Sequence, residues 1–118
     1  MPYKKEIEKE WVAESITDQR IVEYAQNATI VINKYDVNDT SAYQSLVEIV
    51  SAKVRFDSKL FYRIQIKTGE TDVKKNEVRH KDLNYDELKA SVNGTETLYN
   101  VTIGVEWYKE ESFYIKNV

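Results

Sequence analysis

The chain has a single histidine, His80, set in Glu77-Val78-Arg79-His80-Lys81-Asp82. An imidazole flanked by carboxylates suits a general base or a metal ligand. A lone histidine in so polar a stretch reads first as a solvent-exposed surface residue, and no nucleophile elbow or other serine signature accompanies it. Asp36-Val37-Asn38-Asp39-Thr40 is spaced like the opening of a calcium loop. Ser41 replaces the sharp-turn glycine, however, and the bidentate carboxylate position falls on Val47, with Glu48 one residue late. An Asx-type turn leading into a helix cap fits these residues better. No glycine-rich phosphate loop is present. The absence of cysteine removes thiolate catalysis, cysteine-based zinc sites and disulfides together. The expectation is a non-enzymatic protein with no cofactor and no metal.

Charge is more informative than any motif. Residues 53–81 carry nine basic side chains (Lys53, Arg55, Lys59, Arg63, Lys67, Lys74, Lys75, Arg79 and Lys81) against four acidic ones, in a chain of net charge −3. Displayed on a strand beside Phe61, such a row would neutralise phosphates while the ring stacks on a base. It would equally meet an acidic protein partner, including a second copy of a chain whose remainder is acidic. The plainer reading is a mixed surface whose lysines guard an exposed strand edge.

Tyrosine occurs nine times. Tyr108 and Tyr114, with Leu98, are expected on the outer face of a C-terminal hairpin, opposite Trp107 and Phe113. Exposed tyrosines bury large areas at low entropic cost and so mark protein interfaces, although cross-strand pairing explains them nearly as well.

Four Asn-x-Thr triplets start at Asn27, Asn38, Asn93 and Asn100. They fit a glycosylated exterior protein or, more plainly, a chain rich in Asn and Thr. The first residues, MPYKKEIEKEW, are charged and contain no apolar run like a signal peptide. No stretch of about 18 apolar residues exists to span a membrane. These features predict a cytoplasmic protein with no membrane contact.

At 118 residues, 42% hydrophobic and 31% charged, the chain suits one domain over residues 1–118 with a full core. Tyr3, Ile7 and Trp11 predict a short helix over about residues 3–14. Thr17 or Asp18 caps a second helix, whose stripe is Ile21, Ala25, Ala28, Ile32 and Tyr35, widened by Val22, Tyr24 and Val31. Ser41 with Gln44 forms a capping box for a third, carrying Ala42, Leu46, Ile49 and Val50, whose end merges into a strand-like alternation over 50–56. Leu60, Tyr62, Ile64 and Ile66 alternate as a strand closed by Thr68-Gly69-Glu70. Residues 71–83 form an edge strand or a mobile loop. Asn84 with Glu87 suggests a short capped helix stopped by Gly94. Tyr99, Val101, Ile103, Val105 and Trp107 make a strand that turns at 109–111 into a last one through Phe113 and Ile115. The class is α+β: N-terminal amphipathic helices on one face of a mainly antiparallel sheet ending in a β-hairpin.

Ile16-Thr17-Asp18 opening a helix that ends near Tyr35-Asp36 is loosely similar, over about 30 residues, to head-to-tail connector proteins of tailed phages; the strand-rich second half departs from them. A long helix preceding strands is also similar, in element order only, to cystatin-like and NTF2-like folds. That likeness implies a small-ligand pocket between helix and sheet, lined by Tyr24, Tyr43 or Trp107. The leading expectation is an interaction or assembly module, of viral or mobile-element origin, that binds a protein partner or itself. Nucleic-acid binding through residues 53–81 and the ligand pocket are the alternatives.

Overall fold

The computed structural model describes residues 10–106 and 110–118. Five antiparallel strands follow one another in sequence order across a single sheet: β1 (Val12–Ala13), β2 (Ala42–Asp57), β3 (Lys59–Lys74), β4 (Glu96–Val105) and β5 (Glu111–Asn117). One helix, α1 (Gln19–Tyr35), crosses one face of that sheet. The α+β class holds, with one α-helix among the described residues where several were expected.

α1 starts where the sequence places it, because the Asp18 carboxylate accepts the Arg20 backbone N–H at 3.0 Å. Its stripe of Ile21, Tyr24, Ala25 and Ala28 is buried against Ala52, Tyr62, Ile64, Ile66, Val101 and Ile103. The β-branched run Thr29–Ile32 stays helical; the buried Thr29 hydroxyl donates to the Ala25 carbonyl at 3.0 Å and is satisfied inside the helix. Tyr35 and Val22, expected on the stripe, are exposed.

Two helices anticipated from spacing are not found, and most of a further one falls outside the described residues. Of the first, residues 1–9 lie outside the described residues, and Val12–Ala13 pair as a strand with Val54 and Lys53. The third is strand β2. Its ladder with β3 shifts register between Leu46 and Glu48 and again between Ile49 and Ser51. Each irregularity breaks the two-residue alternation, so Leu46, Ile49 and Val50 fall at helix-like spacing in a strand. Residues 84–92 form turns rather than a capped helix. Thr68-Gly69-Glu70 does not close β3 either, because its continuation pairs with the start of β2, up to Ala42 opposite Lys74. Residues 71–83 are therefore strand to Lys74, then turn, then a 3-10 turn at His80–Asp82.

The C-terminal hairpin forms as expected, with Val101 opposite Ile115 and Thr102 opposite Tyr114. Val101 and Ile103 face the helix; Tyr114 stands on the outer face, 71% exposed. Among the described residues no helix is long and apolar enough to cross a membrane.

Candidate functional site

Sheet order and register bring three distant segments to one end. The β2–β3 connection reverses at Ser58, between the paired Asp57 and Lys59, and Ser58 has φ 59°. This left-handed backbone is uncommon outside glycine and makes the reversal tight. On one side lie the facing ends of β4 and β5, where the Glu106 N–H donates to the Glu110 carbonyl at 2.9 Å. On the other lies β1, bonded only to the edge of β2. Four strand spacings of about 4.8 Å give this rim a width of roughly 19 Å.

The rim carries exposed apolar groups. Phe56, beside the reversal, is 65% exposed and Val12 is 61% exposed. Val12 pairs with Val54, two residues from Phe56 on β2, so all three share the helix-side face beyond the start of α1. The opposite face is held by stacked cations and rings. Arg63 lies 4.4 Å and Arg55 5.3 Å from the Trp11 ring centre, while Lys59 and Arg55 lie 5.3 and 5.8 Å from that of Phe61. Lys59 bridges to Glu106 at 2.6 Å, tying the β2–β3 turn to β4. The N-terminal segment is thus anchored by Trp11 while Val12 projects.

The basic row divides between the two ends of the sheet. Lys53, Arg55, Lys59, Phe61 and Arg63 gather near the rim. Lys67, further along β3, faces Glu48 and Glu96 at 3.6 and 4.0 Å. Lys74, Lys75, Arg79 and Lys81 lie at or beyond the far end of β3. Lys75 donates to the carbonyls of Asn33 (2.7 Å) and Asp36 and lies 3.6 Å from the Asp36 carboxylate. Several of these cations are engaged by the protein's own carboxylates, and the residues do not form one continuous phosphate-binding stripe. Of the expected interface residues, Tyr114 is exposed, Leu98 is half-buried opposite Lys67, and Tyr108 lies outside the described residues, as does Trp107.

His80 is not the exposed surface residue its neighbours suggested. It is half-buried at the far end, its ring 6.0 Å from Tyr43 and 5.9 Å from Tyr85. Burial, with repulsion from Lys34 and Lys75, holds its pKa below the ordinary histidine value. A cavity of about 640 Å³ opens there beside Asp36, Tyr43, Lys75 and His80. Among the described residues, no three His, Asp or Glu side chains gather where they could hold a metal. Asp36–Thr40 does form Asx-type turns, with Asn38 N–H on the Asp36 carboxylate at 3.2 Å and Thr40 N–H on the Asn38 side chain at 3.1 Å. They lead into β2 rather than a helix.

A cavity of about 420 Å³ opens between the end of α1 and the sheet, beside Ile32, Gln44, Tyr99 and Ile115, and not at the tyrosines expected to line a pocket there. Tyr24 packs its ring 5.1 Å from Tyr62 and 6.3 Å from Phe113, and Tyr43 donates its hydroxyl to the Val78 carbonyl at 2.7 Å. Both tyrosines are buried, Tyr24 in the core between α1 and the sheet and Tyr43 at the far-end cavity, so Tyr24 and Tyr43 do not line one pocket between helix and sheet. The rim escaped sequence reasoning because its parts are about 40 residues or more apart; Phe56 reads in the sequence as one more core position, in phase with Ala52 and Val54.

A cystatin-domain model matches residues 14–106. Among solved structures, the chain is similar to Al-CPI, with a TM-score of 0.75 and 23% identity over 92% of this chain and 99% of that one. It is also similar to a salivary cystatin of the soft tick Ornithodoros moubata, with a TM-score of 0.72 and 17% identity over 95% and 99%. Mialostatin, a gut cystatin of the hard tick Ixodes ricinus, gives a TM-score of 0.66 and 14% identity over 92% and 99%. No curated protein matches the chain by sequence. The cytoplasmic expectation is overturned by the cystatin match together with these salivary and gut neighbours. The viral or mobile-element expectation finds no support in a cystatin domain. The protein-binding, non-enzymatic expectation agrees with this family at the coarse level, and nucleic acid gains no support.

Proposed function

The chain belongs to the cystatin family, and on that premise we propose that it inhibits a protease by inserting the rim of its sheet into the enzyme's active-site cleft. Cystatins are protease inhibitors rather than enzymes. The observation that carries the reading is the meeting of β1, the Ser58 reversal and the facing ends of β4 and β5 at Glu106 and Glu110, with Phe56 and Val12 turned to solvent. A protruding apolar edge suits a concave site, and exposed aromatics supply much of the energy of such contacts. The edge is pre-organised: its main chain is paired in the sheet and its outer face is fixed by the Trp11, Arg55, Phe61 and Arg63 stack, so little freedom is lost on docking. The family and the salivary and gut neighbours support an extracellular site of action.

The test titrates the full chain against serine, cysteine, aspartic and metalloproteases with peptide substrates. We expect inhibition of at least one class, weakened about 10–100-fold by Phe56→Ala, the cost of losing an interface anchor. The melting temperature should barely change, because Phe56 is outside the core. Lys81→Ala, at the far end, should inhibit like the parent. No inhibition of any class at micromolar protein would end this reading.

A further inference from the structure

We propose that Asn38 and Asn93 are N-glycosylation sites that place oligosaccharides at the end of the molecule opposite the inhibitory rim. The proposal rests on the extracellular reading given above. All four Asn-x-Thr asparagines are exposed, but their surroundings differ. Asn38 lies in the α1–β2 loop, where its side-chain oxygen accepts both the Thr40 hydroxyl at 2.7 Å and the Thr40 N–H at 3.1 Å. Amide and hydroxyl of the acceptor triplet are already in contact, and the Asn38 Nδ2 makes no hydrogen bond among the described residues. Asn93 lies in the turn closed by the Gly94 N–H on the Ser91 carbonyl at 3.1 Å, followed by an exposed Thr95.

The other two triplets sit in regular structure. The Thr29 hydroxyl that belongs to Asn27 is fully buried and bonded to Ala25. Asn100 stands in β4 between two strands, and its side-chain oxygen accepts from Gln65 at 3.2 Å. Turns accept the bent acceptor peptide that helix and central strand resist.

Both loops share one end of the fold. Asn38 precedes Ala42, the first residue of β2, and Asn93 precedes Glu96, the first of β4, whereas the rim lies at the last residues of both strands. At about 3.3 Å per residue, the ten residues of β4 alone separate Asn93 from the rim by roughly 30 Å. Sugars there shield the far end and leave Phe56 free.

In the transfer, Asn38 Nδ2 attacks the anomeric carbon of a lipid-pyrophosphate-linked oligosaccharide. A nitrogen–carbon bond forms, the carbon–oxygen bond to pyrophosphate breaks, the lipid pyrophosphate leaves with the electron pair, and one amide proton passes to a base of the transferase. No oxidant or reductant is involved.

The test sends the full chain, behind an added signal peptide, through the secretory pathway of a eukaryotic host. Intact mass is measured before and after peptide N-glycosidase, which leaves Asp at each former site. Two glycans are expected. Asn38→Gln and Asn93→Gln should each remove one, and Thr40→Ala should remove the Asn38 glycan while keeping the asparagine. The glycosylated and bacterially made proteins should inhibit protease equally. A sugar-free secreted protein, or sugar on Asn27 or Asn100 with Asn38 and Asn93 bare, would overturn the assignment. Both sites occupied with no protease inhibited by either preparation would instead sink the inhibitor reading and leave the glycans standing.

Discussion

Asn33 shows how much one residue near a helix end can organise. Buried near the end of α1, it accepts the Gln44 N–H at 2.7 Å and donates to the Gln44 carbonyl and the Tyr85 hydroxyl at 2.9 and 2.8 Å. Helix, β2 and the 80–85 segment are thereby joined through one amide. His80 sits beside this junction, and its lowered pKa carries a sign. Unfolded, the imidazole has its ordinary affinity for protons; folded, it binds them less well, so the unfolded state holds more protons below the ordinary value. Stability from His80 is present above that value and is lost as pH falls from it through the folded pKa. Melts at about pH 7 and about pH 5 should show a smaller drop for His80→Gln than for the parent. The His80 ring protons, followed by NMR, should titrate below the ordinary midpoint. An equal drop in both proteins and a normal midpoint would remove the effect. The sequence shows the histidine and its charged neighbours but not Tyr43 and Tyr85, which reach it only through folding.

At the scale of elements, the far-end loop packs its backbone closely on Glu70. A Cβ at Gly94 would lie 2.5 Å from the Glu70 carbonyl oxygen, which already accepts the Ser91 N–H at 2.8 Å. Backbone cannot yield as a flexible side chain does, so Gly94→Ala should cost about 1–3 kcal/mol in denaturant unfolding. A neutral result would mean that the loop moves freely. α1 was legible from its cap and stripe, and the last hairpin from clean alternation. β2 was not, because the irregularities of its ladder at Leu46/Glu48 and Ile49/Ser51 shift the apolar residues out of phase and spread them at helical intervals.

At the scale of the whole fold, the described residues are elongated, 56 × 29 × 26 Å, with the rim at one end and the proposed glycans at the other. β1 contributes no residue to the buried core. Removing residues 1–15 should therefore leave the melting temperature within a few degrees while weakening protease inhibition, since Val12 and the Trp11 anchor leave together. Calorimetry and inhibition assays on the same truncated protein check this; collapse of the fold would show that β1 is structural. By itself the sequence determined the α+β class, the amphipathic helix, the closing hairpin and the lack of thiol chemistry, because these follow from periodicity and residue type within short windows. Only the tertiary structure decided that residues 12, 56 and 106 share one end and that the basic row divides between two. Register and strand order set those distances, and they arise from long-range pairing that no local window contains.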